Sequence, residues 1–299
     1  MTQNRRDALK CLGVGAGTLF TLSGGILSAV DMAEAATDSG TPLFVQISDT
    51  HIGFNKDANP DVIGTLNRNI DMLNALPTAP GFAIHTGDLT HLSKSSEFDT
   101  ASQLLSRLKI SELHVVPGEH DVTDGPGTEF FARFGKPSNN RGYYSFDSHG
   151  VHFVALVNVM NFKPNGLGAL GDDQLAWLTN DLAGRSASQP IVVFAHMPLW
   201  TIYEPWGWGT AEGEQIAGLL RRFGSVTVLN GHIHQIVQKV EGNILFHTAR
   251  STAFPQPLAG QGTGPGPLTV PPMELPGMLG VTVAVSGKKA LSLSDKTLA

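Results

Sequence analysis

Leu43-Phe44-Val45-Gln46-Ile47-Ser48-Asp49-Thr50-His51 is a short apolar run that ends abruptly in a carboxylate and an imidazole. The pattern returns twice. Residues 82–85 (Phe-Ala-Ile-His) lead into Gly87-Asp88, and residues 113–116 (Leu-His-Val-Val) lead into Gly118-Glu119-His120-Asp121. Runs of four to six apolar residues closed by Gly and polar residues read as buried strands. Between them, residues 61–76 and 94–108 read as helices. The second carries Phe98, Ala101, Leu104, Leu105 and Leu108 at the i, i+3, i+4 spacing of an amphipathic helix. Strand, helix, strand, helix, strand predicts a parallel sheet with crossover helices.

The next part of the chain changes character. Residues 143–146 and 151–157 flank Ser148-His149-Gly150 and predict an antiparallel hairpin. A helix over 175–182, a buried strand over 191–195 and a helix over 211–223 follow, then strands over 226–229, 236–240 and 244–247, the last two joined at Glu241-Gly242-Asn243. Residues 255–276, rich in Pro and Gly and without periodicity, read as a long loop. A last strand pair, 281–285 and 290–293, turns at Ser286-Gly287-Lys288. No repeat and no linker divides the chain, so one domain of mixed sheets is expected over 36–299.

Composition narrows the function. In 299 residues, 41% are hydrophobic and 15% charged, the formal net charge is −6, and no Lys/Arg cluster lies outside the extreme N-terminus. A nucleic-acid footprint is not supported, because it needs a basic face. Cys11 is the only cysteine, so no intrachain disulfide forms. The N-terminus reads as a leader. Asn4-Arg5-Arg6-Asp7-Ala8-Leu9-Lys10 resembles a twin-arginine export motif, with Ala8 where Phe is usual. A moderately apolar run from Cys11 to Val30 and the small-x-small sequence Ala33-Glu34-Ala35 follow. The expectation is a cleaved segment 1–35 and a periplasmic or secreted mature protein without a stable membrane partner. The leader would be handled by the twin-arginine machinery, a route that implies cofactor loading before export. An uncleaved membrane anchor is the other reading, weakened by five glycines in the run. Three charges of each sign leave with residues 1–35, so the mature chain stays at −6.

Chemistry-bearing residues recur at strand ends, where open α/β sheets place their sites. Asp49-Thr50-His51, Gly87-Asp88, Gly118-Glu119-His120-Asp121, His196 and Gly231-His232-Ile233-His234 each follow a predicted strand. Imidazoles and carboxylates without a thiolate suit Zn, Fe or Mn in N/O coordination. In this order the five segments resemble the calcineurin-like metallophosphoesterases, whose pattern is D-x-H, G-D, G-N-H-D/E, a lone His, then G-H-x-H. Their spacing is similar to the bacterial cyclic-nucleotide phosphodiesterase branch.

The resemblance implies a four-layer α/β/β/α sandwich, two mixed sheets flanked by helices. It also implies two divalent metal ions: the first on Asp49, His51 and His234, the second on Glu119, His196 and His232, with Asp88 and a water or hydroxide bridging. On the same grounds His120 stands near the leaving-group oxygen, and Asp121 orients it through its other ring nitrogen. The implied activity is hydrolysis of a small phosphomonoester or phosphodiester, such as a cyclic nucleotide, by the metal-bridging hydroxide.

One position departs from that pattern: Glu119 stands where the family has Asn. Three readings are open. Glu119 ligates and shifts metal preference towards harder ions, it swings away and leaves an open position, or the site is catalytically silent. The last gives the rival function, a metal-binding or sensing protein on the same scaffold. A periplasmic binding module is a third class, and it leaves His120 unexplained. Three further features have two readings each. His91, where a purple acid phosphatase has its metal-binding Tyr, is either close behind the metals or a solvated loop residue. Trp200, Tyr203, Trp206 and Trp208 are either packing or a lid over the organic part of a substrate. Arg250 either reaches a phosphate oxygen or forms a surface ion pair. His85 reads as a satisfied core histidine, and His114, His149, His152 and His247 are given no role.

Overall fold

A computed structural model describes residues 18–23, 42–161, 166–286 and 291–298. The expected leader therefore lies outside the described residues, except for 18–23, which form an edge strand, β1 (Thr18–Ser23). β2 (Pro42–Ile47), α1 (Val62–Asn74), β3 (Phe82–His85), α2 (Ser95–Leu105) and β4 (Leu113–Val115) follow in the expected alternation. The pairs β2–β3 and β3–β4 are both parallel. α1 starts where Asp61 accepts the Gly64 backbone N–H at 2.8 Å, an N-cap satisfying one orphan donor. It buries Val62, Leu66, Ile70 and Leu73, a single stripe against the sheet.

After α3 (Thr128–Phe134) the chain builds a second sheet. β5 (Tyr144–Ser148) and β6 (Val151–Ala155) form the hairpin. α4 (Asp172–Ala183), β7 (Ile191–Phe194), α5 (Gly213–Leu220), β8 (Val226–Asn230), β9 (Ile236–Glu241) and β10 (Ile244–Thr248) complete it. The long loop contains the four-residue α6 (Leu275–Met278), and the chain returns to the first sheet through β11 (Gly280–Ser286) and β12 (Leu291–Thr297).

Strand order is β1-β9-β10-β8-β7-β6-β5 in one sheet and β12-β11-β2-β3-β4 in the other, and both mix parallel and antiparallel pairs. Three apolar layers make this a four-layer sandwich. Val45, Ile47 and Ala83 face α1 and α2 through Leu66, Ile70 and Phe98. Val193, Val228 and Phe246 face α4 and α5 through Leu178 and Leu220. Phe44, Phe82, Ile84, Phe153 and Phe194 fill the space between the sheets, with Phe82 and Phe153 edge to face at 5.1 Å. Polar contacts cross between the sheets as well: His247 on β10 meets Asp295 on β12 at 3.1 Å, and Gln46 Nε2 on β2 donates to Asn230 O on β8 at 3.1 Å. No helix among the described residues is long and apolar enough to cross a membrane.

Candidate active site and metal centre

The C-terminal ends of β2, β3 and β4 in one sheet and β7 and β8 in the other meet at one rim, carrying all five motif segments. Glycines let the segments approach so closely. A Cβ on Gly118 would overlap the Asp88 carboxylate, and one on Gly231 would overlap Ser48 Oγ and the Asp49 carboxylate. Asp49 N–H donates to Gly87 O (3.0 Å), His51 N–H to Asp88 O (2.9 Å) and Gly231 N–H to His196 O (2.9 Å), which stitches the loops together.

Side chains of Asp49, His51 and His234 offer ligand atoms within 4.8 Å of one another, and so do those of Glu119, His196 and His232. Asp88 lies between the groups. Its Oδ2 is 3.5 Å from His51 Nε2 and 3.5 Å from His196 Nε2. Glu119 turns inward, with Oε2 2.8 Å from His196 Nε2 and Oε1 3.0 Å from His232 Nδ1. Yet Glu119 Oε2, His196 Nε2 and His232 Nδ1 are buried without a properly directed hydrogen-bond partner. Lone pairs that converge without bonding to one another are what a cation's ligands present, so these residues fit a metal. The outer ring nitrogens are anchored: His196 Nδ1–H donates to Thr86 O at 2.7 Å and His234 Nδ1–H to Phe254 O at 2.6 Å, fixing the tautomers that leave Nε2 for the site. Burial opposes charge here, but His232 and His196 hold the Glu119 carboxyl well below its usual range, while Asp88 and Glu119 hold His196 well above its own.

The resemblance's assignment for Asp121 is corrected. The ring nitrogen of His120 that was to meet Asp121 instead donates to the His91 backbone carbonyl, Nδ1 to O 2.7 Å. Asp121 is fully buried and accepts from Leu89 N–H (3.1 Å), Gly118 N–H (3.0 Å), Thr90 N–H (2.9 Å) and Thr90 Oγ1 (2.9 Å). It braces the loops after β3 and β4. Residues 119–121 form one 3₁₀ turn, in which neighbouring side chains diverge by roughly 120°, so Asp121 points away from His120.

His91 is half-buried and stacks on His120, with ring centroids 4.9 Å apart, so it is no solvated loop residue. His85 is a buried core histidine whose Nδ1 accepts the Gly87 N–H. Arg250 is half-buried and donates to Gly277 O at 3.3 Å, and no carboxylate among the described residues forms an ion pair with it.

The aromatic loop divides between the two readings. Trp208, 1% exposed, packs on Ile233 and Val237, and Trp200 packs on Phe246 with rings 5.0 Å apart. Trp206 is partly exposed. Both Trp206 and Trp208 border a cavity of about 300 Å³ that Glu119, His120, His232 and Gln256 also line. The sequence reading missed the segment after β10. Ser251 Oγ donates to Asp49 O (2.7 Å), Phe254 O holds His234, and Gln256 Nε2 donates to His232 O (2.9 Å). Backbone acceptors leave no residue-type signal, so this segment could not be singled out from the sequence.

Comparison with known proteins agrees with this geometry. The family model described as "Calcineurin-like phosphoesterase" matches residues 42–236. The chain is 26% identical over 219 residues to a probable glycerophosphodiester phosphodiesterase of Arcobacter nitrofigilis, covering 70% of this chain and 78% of that protein. It is 27% identical over 230 residues to a probable cyclic nucleotide phosphodiesterase of Rhodopseudomonas palustris, again covering 70% and 78%. In fold it is similar to a dimetal phosphatase from Danio rerio, with a TM-score of 0.67 at 14% identity over 86% of this chain and 97% of that one. With the strand-end motifs, the converging donors and a family match over most of the described sandwich, the chain belongs to the calcineurin-like phosphoesterases and is a metal-dependent phosphoric ester hydrolase.

Proposed function

We propose that this chain hydrolyses a small organic phosphodiester or phosphomonoester at a dinuclear centre, outside the cytoplasm after twin-arginine export. Asp49, His51 and His234 would hold one divalent ion, Glu119, His196 and His232 the other, and Asp88 would serve both. Fe, Mn or Zn suits this nitrogen- and carboxylate-rich donor set. The observation that carries the reading is the central Asp88 oxygen, equidistant at 3.5 Å from a histidine of each group. Bound there, divalent ions would neutralise phosphoryl oxygens and acidify water.

The remaining tasks fall to the chain's own groups. His120 Nδ1–H is committed to His91 O, so Nε2 is the atom available to a leaving-group oxygen. Burial disfavours its charged form, but Asp88 and Glu119 outweigh that and raise its pKa, which suits a proton donor. The cavity beside His120 supports an ester with an organic arm, since Trp206 offers an apolar face and Gln256 a polar one. Similarity to proteins named as phosphodiesterases favours a diester, with glycerol-based and cyclic-nucleotide esters as the first candidates.

The test is a screen of mono- and diesters with Mn, Fe, Zn, Co and Ca supplied singly, alongside metal analysis. Two ions per chain and turnover are expected, both lost in Asp88→Ala. Turnover without metal, or two ions retained in Asp88→Ala, would sink the reading. Export is tested separately: changing Arg5 and Arg6 to Lys should leave full-length precursor in the cytoplasm, and unchanged processing would refute that part.

A further inference from the structure

We propose that His91 is a further nitrogen donor to the metal centre on the His51 side, an inference that rests on the dinuclear reading above. One ring nitrogen each from His51, His91 and His120 lies within 4.8 Å of the others, a cluster that shares His51 with the first group and adds two histidines to it. Donors around one tetrahedral ion with metal–nitrogen bonds of about 2.0–2.1 Å sit roughly 3.3 Å apart, and opposite positions in a larger shell about 4 Å. The observed spacing therefore needs only a small ring rotation to close on an ion.

The backbone holds His91 in place for that role. Its N–H donates to Ile52 O at 2.9 Å and its carbonyl accepts from His120, so the residue is pinned between the loops after β2 and β4. Its ring lies edge-on to His51 (5.6 Å) and Phe54 (5.2 Å) and parallel to His120 (4.9 Å). These contacts fix the ring plane. They leave Nδ1 buried and without a hydrogen-bond partner, although the ring as a whole is only half-buried. Packing alone does not account for an imidazole whose hidden nitrogen bonds to nothing, because a buried unpaired polar atom is destabilising. A metal ion accounts for it. The ion it would bind is a borderline divalent one with a taste for nitrogen, such as Zn, Fe(II) or Co, rather than Ca or Mg.

The test compares the parent with His91→Phe, which keeps the ring contacts to His120 and Phe54 and deletes only the nitrogens. Both proteins are loaded with Co, the visible absorption of each is recorded, and each ion's affinity is measured by chelator competition. His91→Phe should bind one of the two ions about 10- to 100-fold more weakly, the scale on which metal-site partners act, with a changed absorption band. Metal-free melting should match the parent; if it does not, His91→Asn takes its place. Identical spectra and affinities would overturn the proposal while the dinuclear reading stands. Unchanged metal binding with lost turnover would overturn it too, moving His91 to the substrate. A parent that binds no metal would overturn both.

Discussion

Replacing Glu119 by Asn would remove one negative charge from the proposed donors of one ion and leave a neutral amide oxygen. Both Glu119 oxygens lie 2.8–3.0 Å from histidine nitrogens of the same group, so the charge change falls inside the centre. Two divalent ions with Asp49, Asp88 and Glu119 sum to one positive charge, and Glu119→Asn raises that to two. A phosphoryl oxygen bound among donors spaced within 4.8 Å sits roughly 5 Å from the altered charge. At an effective dielectric of ~20, one unit charge at that distance is worth ~3 kcal/mol. The side chain is one-fifth exposed, and halving for solvent leaves ~1.5 kcal/mol, about tenfold in a dissociation constant. Glu119→Asn should therefore be inhibited by inorganic phosphate about tenfold more tightly. The acidic limb of its pH–rate profile should move down by about one unit, because the attacking water meets a more positive site. The assay is kcat/KM against pH and the phosphate inhibition constant, for parent and variant carrying the same metal, with ion content verified. Superimposable profiles and equal inhibition constants would show that Glu119 does not act on the centre's charge.

Other perturbations test separate joints of the reading. His120→Ala should retain both ions and slow turnover about 10²-fold, less for a nitrophenolate leaving group that needs no proton; equal losses on good and poor leaving groups would remove the acid role. Burial and the nearby Asp88 charge push Asp121 up to about 7. A carboxyl raised in the folded state contributes stability that is full below pH ~4 and lost as pH rises through 7. The metal-free protein should thus melt at lower temperature at pH 8 than at pH 5, and Asp121→Asn should flatten that slope; an unchanged slope would refute the assignment. Trp208→Ala should cost ~3–5 kcal/mol of stability. Trp206→Ala should leave stability within ~1 kcal/mol and raise KM for a bulky ester more than for a small one, with equal KM changes removing Trp206 from the substrate site.

The strands that carry the ligand motifs were readable because β2, β3, β7 and β8 are buried along nearly their whole length, forcing a short apolar run, and each ligand sits where that run stops, whereas β5, β9 and β12 are only partly buried. Phe82–His85 needed no adjustment and the other expected strands moved by a few residues at their ends, while β1, inside the run read as a leader, was not expected as a strand. α3, a seven-residue helix that starts directly after Gly127, was missed because two turns of helix give too little periodicity to recognise. The leaning of Asp121 on three backbone N–H groups was hidden for another reason: adjacency of Glu119, His120 and Asp121 suggests a dyad only if the local backbone is unknown, and a 3₁₀ turn points the side chains apart. The anchors of the histidine rings, His91 O, Thr86 O and Phe254 O, belong to the backbone, which carries no residue identity.

The backbone at the site shows how the sandwich prepares it. Among the described residues nine non-glycines have positive φ, and five of them are candidate ligands: Asp49 (52°), His51 (40°), Asp88 (54°), His232 (70°) and His234 (54°). Each such residue costs roughly 1 kcal/mol or more, a burden that persists only where the surroundings dictate it. The geometry explains the choice. In an extended strand, residues i and i+2 share a face but stand about 7 Å apart. Left-handed turns at these residues bring Asp49, His51 and His234 together on one side and deliver His232 to Glu119 and His196 on the other. What holds the strained loops is the pair of sheets beneath them: Gln46 Nε2 reaches Thr86 Oγ1 at 3.0 Å, Thr86 Oγ1 donates to Ser48 Oγ at 2.7 Å, and Ser48 Oγ donates to Asp49 Oδ2 at 2.5 Å. That chain of buried side chains runs from inside β2 to the carboxylate itself. The site's order is thus supplied by the fold, and a cation entering it gains binding energy without having to organise its own ligands.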